Sequence, residues 1–128
     1  MITNEFYDLD FNPARNQINW KVKGYWSSVK NVPNMEKDWK SMLAMAKKPG
    51  FNILADLTEM KVAPPDVQAL HAKVQQQIIQ SGVHKIDTIT NSALTRMAVT
   101  NIGTVSGITQ MVSDFNDSKK AQAWLDET

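Results

Sequence analysis

The side chains best suited to chemistry stand at the end of one apolar run, where Phe51, Ile53, Leu54 and Ala55 lead into Asp56, Thr58 and Glu59. A carboxylate beside a hydroxyl can anchor a polar ligand or act as a general base, but a catalytic pair requires both carboxylates to converge on one bond. A loop is expected to begin between Asp56 and Glu59, so they are not assigned to one face. The plainer role for Asp56 and Thr58 is to hydrogen-bond backbone groups where the strand turns into a loop.

A second group opens a helix, where Ser92, Thr95 and Arg96 stand within its first turn. Helix N-termini and guanidinium groups both bind anions. The competing role for Arg96 is a surface ion pair with Asp56 or Glu59. Trp26, beside Tyr25 at a strand end, is the tryptophan suited to an apolar pocket or a partner surface. Trp20, Trp39 and Trp124 are read as structural, and the seven methionines as gap-fillers able to line an adaptable pocket. The ligand-binding candidates are therefore Asp56, Thr58, Ser92, Arg96 and Trp26, and no residue is assigned a catalytic role.

Several chemistries lack their residues. His71 and His84 are the only histidines, and neither has a partner at metal-ligand spacing, so no metal is expected. There is no G-x-S-x-G nucleophile elbow. Gly103 and Gly107 follow a helix and lack the lysine of a phosphate loop, and no cofactor is expected. Cysteine is absent, which excludes disulfides and thiolate sites and fits a reducing compartment. Fourteen basic against 13 acidic residues give no footing for nucleic acid as the principal partner. No segment reaches the roughly 20 apolar residues of a membrane helix, and MITNEFYDLDF shows no signal-peptide pattern. The expectation is one cytoplasmic domain over residues 1–128, with 42% apolar and 21% charged residues to build a single core.

The elements that must position these groups follow from periodicity. Tyr7, Leu9 and Phe11 alternate with Asp8 and Asp10, then Ile18, Trp20 and Val22 with Asn19, Lys21 and Lys23, which predicts an antiparallel hairpin around Asn12 to Asn16. Met35, Trp39, Met42, Leu43 and Ala46 predict a first helix, ended by Pro49-Gly50 before the central strand FNILADLTEM. Val67, Leu70, Val74 and Ile78 predict a second helix from Pro65 to Ser81, followed by a strand from His84 to Thr90. A third helix is expected to bury Leu94, Met97, Ala98, Ile102 and Val105, a last strand to run from Ile108 to Phe115, and a final helix to bury Ala121, Trp124 and Leu125. The order ββαβαβαβα implies an α/β fold in which an N-terminal hairpin joins parallel strands in one mixed sheet.

Three stretches carry a family resemblance: the hairpin ending in Gly24-Tyr25-Trp26, the strand end Ile53 to Met60, and Asp117-Ser118-Lys119-Lys120-Ala121-Gln122-Ala123-Trp124-Leu125. With the element order, they make the chain resemble the STAS superfamily, and more closely the bacterial proteins called STAS/SEC14-like or SpoIIAA-like. The resemblance implies a SpoIIAA-like sheet and a bacterial interaction domain. Phosphoswitch members place a serine in the turn after the central strand, whereas Met60 to Asp66 contains no Ser or Thr, so that switch is not implied here. The function expected is a non-enzymatic binding or interaction module whose partner is another protein or, alternatively, a second copy of the chain in a homodimer. The alternative is a carrier of a small apolar or anionic ligand at the carboxyl ends of the strands. An enzyme using Asp56 or Glu59 as base and Arg96 as anchor is the third and weakest reading.

Overall fold

Strand β4 (Asn52–Met60) lies inside a six-stranded sheet whose spatial order follows the chain: β1 (Ile2–Thr3), β2 (Tyr7–Asn12), β3 (Gln17–Gly24), β4, β5 (Lys85–Ile89) and β6 (Val112–Phe115). This computed structural model describes residues 1–48 and 50–127, so Pro49 of the expected Pro49-Gly50 helix stop lies outside the described residues. Gly50, at φ 105°, takes the left-handed conformation that a residue with a side chain disfavours. The first three strands are antiparallel and β3 to β6 are parallel, which is the mixed sheet expected.

Handedness then places the helices. Each parallel step moves one strand along in the same direction, and right-handed crossovers in one direction put all their helices on one face. Helices α1 (Met35–Met45), α2 (Pro65–Gln80) and α3 (Ala93–Ser106) accordingly form one layer, with α2 packed between the other two. Among the described residues only α4 (Ser118–Asp126) covers the opposite face, beneath β4, β5 and β6. The N-cap of α4 is Asp117, whose carboxylate accepts the Lys119 N–H at 2.8 Å.

The helix-covered face carries Tyr7, Leu9, Ile18, Trp20, Val22, Ile53, Ala55 and Leu57, all buried. Met35, Trp39, Met42, Leu43 and Ala46 of the first helical pattern are buried as expected, and so are Val67, Val74 and Ile78 of the second. Trp26 is a buried core residue, with its ring 4.9 Å from that of His71 and its indole N–H donated to the carbonyls of Phe6 and Lys23. Trp124, expected inside, is 41% exposed, and Lys85 Nζ lies 4.7 Å from the centre of its ring.

Helix α3 departs most from its expected orientation. Leu94, Met97 and Val105 are 65%, 64% and 75% exposed, while Thr95, Ile102, Gly103 and Ser106 are buried. Apolar residues occur all round this helix, so periodicity permits more than one inward face, and packing on α2 selects the one with smaller side chains. The last strand is also shorter than expected. Gly107, left-handed at φ 87°, ends α3, and a 3-10 turn takes Ile108–Met111 before β6 begins.

On the α4 face, Asp87 stands between Leu54 of β4 and Ser113 of β6, is fully buried, and finds no hydrogen-bond partner among the described residues for either carboxylate oxygen. Burial pushes its pKa up to about 7, with the nearby Lys85 charge offsetting part of the rise. An acid whose folded pKa lies above its unfolded value of 3.8 favours folding while protonated, and this contribution is lost as pH rises from about 4 to about 7. Asp87→Asn should therefore leave stability nearly unchanged at pH 4 and raise it at pH 8 by up to about 4 kcal/mol. Urea unfolding of both proteins at the two pH values checks this.

Candidate functional site

Small residues meet where the sheet faces the helix layer. Ala55 of β4 is in register with Thr88 of β5, and α3 presents Gly103 and Val99 toward the same space. A Cβ on Gly103 would come within 2.9 Å of the Thr109 hydroxyl oxygen, so glycine lets the 3-10 turn press against the helix. Because α3 rests chiefly on α2 and these opposing side chains are short, a cavity of about 230 Å³ remains between sheet and helices.

Its walls are mostly apolar. The strands supply Trp20, Val22, Ile53, Ala55, Leu57, Met60 and Ile86, and the helices Met35, Trp39, Val74, Ile78 and Ile102. His71 also borders the cavity; burial lowers its pKa to about 4, which keeps the imidazole neutral near pH 7. Exposed lining residues, namely Arg96 and Thr100 of α3, Thr109 of the 3-10 turn and Asp114 of β6, mark the mouth beside the edge of the sheet.

Polar groups converge at that mouth. Asp114 accepts the Thr88 hydroxyl at 2.6 Å and the Thr90 hydroxyl at 2.9 Å, and Arg96 Nε donates to its Oδ2 at 3.0 Å. Thr88 and Thr90 are buried, so the carboxylate satisfies two hydroxyls that water reaches poorly. The hydroxyls in turn hold the carboxylate that orients the guanidinium. The resulting site has an apolar interior and one polar rim, a form suited to a small amphipathic molecule.

The five expected ligand residues are divided by the sheet. Asp56 and Thr58 alternate with cavity-lining Ala55 and Leu57 and so project to the opposite face, where they border a shallow groove with Asp117, Ser118 and Lys120. Thr58 donates its backbone N–H and its hydroxyl to Asp56 Oδ1, at 3.0 and 2.7 Å, the local role weighed for this pair. Strand β4 runs on to Met60, and a register shift opposite Lys21 and Lys23 adds a residue to it. Glu59 thereby bonds Lys21, while Met60 returns to the cavity. Ser92 caps α3, accepting the Thr95 N–H at 3.4 Å. Arg96 alone of the five lines the cavity, and its ion pair is with Asp114, not with Asp56 or Glu59.

The residues that sequence reasoning missed are Thr88, Thr90 and Asp114. Their signal was parity: Ile86, Thr88 and Thr90 share one side of β5, so the run turns from apolar to hydroxyl on a face that the helices should bury. Among the described residues no cluster of His, Asp and Glu is arranged to hold a metal ion, and no helix is long and apolar enough to cross a membrane.

Asp114→Ala would strand the Thr88 and Thr90 hydroxyls and release Arg96. Each buried unsatisfied hydroxyl costs about 1–3 kcal/mol, so the variant should lose about 2–6 kcal/mol of stability, and Asp114→Asn should lose less because its amide oxygen still accepts. Denaturant unfolding of the three proteins measures the difference.

No family model and no curated protein matches the chain. Among solved structures it is similar to an uncharacterised protein of the DUF3478 family from Shewanella loihica PV-4, described as having a SpoIIAA-like fold. The two are 18% identical and superpose with a TM-score of 0.73 over 98% of each chain. At that identity the likeness establishes the fold alone, and it agrees with the resemblance drawn from the hairpin, the central strand end and the C-terminal helix. The chain is thus an α/β domain of SpoIIAA-like fold.

Proposed function

We propose that the protein is a non-enzymatic, cytoplasmic binding module that carries a small, mainly apolar molecule between its sheet and the layer of α1, α2 and α3. The observation that supports this most directly is the apolar cavity of about 230 Å³. Its walls are mostly apolar and hydrate poorly, so an apolar guest gains both burial of its own surface and dispersion contacts with the lining. An engineered cavity of about 150 Å³ in another protein binds benzene, so this one has room for a somewhat larger guest.

A binding role also suits the state of the polar side chains. The Asp56 carboxylate is engaged by Thr58, and the Asp114 carboxylate by Thr88, Thr90 and Arg96, so each is occupied by structural bonds. The outward Leu94, Met97 and Val105 favour a second reading, in which a protein partner or a second copy of the chain covers α3.

Trp20 and Trp39 line the cavity and provide the assay. Titration with decan-1-ol should change tryptophan fluorescence saturably, and Ala55→Leu, which fills the space from the sheet side, should weaken that binding at least about tenfold without lowering the melting temperature. Absence of any saturable response, together with no guest retained in native mass spectrometry of freshly purified protein, would overturn the proposal.

A further inference from the structure

Arg96 is used by the protein at one edge only. Its Nε donates to Asp114, and among the described residues no other group bonds the guanidinium. A guanidinium has five N–H donors in a fixed plane, so the four on Nη1 and Nη2 are left for a partner that is not part of the fold. The side chain is about half exposed at the cavity mouth, while Asp114 behind it is held by two buried threonine hydroxyls. Arginine is thus fixed by one edge and offers the other.

Given the carrier reading above, on which this inference rests, we propose that the guest is an amphipathic carboxylate whose chain fills the cavity and whose carboxylate is gripped in bidentate fashion by Nη1 and Nη2 of Arg96. Asp114 acts as a positioning residue. A planar carboxylate matches the two parallel N–H bonds that one guanidinium edge can make. A cationic head group would meet Arg96 at the rim, and Asp114 already accepts from three donors. Arg96 and Asp114 together carry no net charge, which disfavours a dianionic head group more than a single carboxylate. Scaling from benzene in a cavity of about 150 Å³ gives a guest body of roughly nine non-hydrogen atoms, the size of a medium-chain alkyl acid.

Decanoate and decan-1-ol differ at the head group and share the chain, so titrating both into the wild type, Arg96→Gln and Arg96→Lys separates head-group recognition from cavity filling. Arg96→Gln should weaken decanoate by about tenfold or more, the range of a charge-assisted pair, and leave decan-1-ol within about twofold. Arg96→Lys should recover part of the decanoate affinity, because it keeps the charge and loses the fork. Decanoate binding that is indifferent to Arg96→Gln, or an equal loss for both probes, would overturn the inference while the carrier reading stands. If neither probe binds the wild type, the carrier reading fails and this inference with it.

Discussion

The arrangement depends on one steric constraint: parallel strands that advance in a single direction must carry their right-handed crossover helices on a single face. From β3 to β6 the chain never reverses, so the sheet has no switch point at which two helices diverge and leave a crevice at the strand ends. The usual ligand position of an open α/β sheet is therefore missing. Three helices share one layer instead, and room for a guest arises between the sheet and the paired α2 and α3.

The two faces treat their carboxylates differently. Asp114 sits at the edge of the sheet, where two threonines and an arginine satisfy it and make it the hinge of the cavity mouth. Asp87, one strand inward on the other face, is sealed beneath α4 with no donor in reach among the described residues, and desolvation drives its pKa toward neutrality. The same residue type is thus a supported polar anchor at the mouth and a source of destabilisation under the helix. Around Asp87, α4 is held by bonds at its margins, from Gln17 to Gln122 at 2.9 Å and from Asn52 to the Leu125 carbonyl at 3.3 Å.

Packing around the cavity is uneven. Tyr7, Trp20, Trp26, Trp39 and His71 form a continuous aromatic cluster with successive ring centres 4.9 to 6.2 Å apart, concentrated beneath α1 and the first turns of α2. Aromatic pairs at such separations add stabilisation beyond their buried area. The small residues Ala55, Thr88 and Gly103 lie on the other side of the cavity, toward α3. Dense packing at one end and sparse packing at the other leave the cavity open toward α3, which rests on α2.

Apart from the two-residue edge strand β1, which the expected order ββαβαβαβα lacks, element order, strand alternation in the hairpin, the buried stripes of α1 and α2, and the central place of β4 were all legible in the residues, because local periodicity and turn chemistry specify them. So was the SpoIIAA-like fold, through the order of elements and their endings. The site was not legible in the same way. Arg96 was singled out by its place near a helix start, but its partner Asp114 lies 18 residues along the chain, and only the pairing of β5 with β6 brings Thr88 and Thr90 beside it. Asp56 and Thr58 pointed to a site because a strand end was expected where the strand in fact continues, and alternation then sent them to the α4 face. Which face of α3 turns inward, and hence whether there is a cavity at all, depended on how that helix seats against α2, since a helix apolar on several sides contains no local instruction for choosing among them.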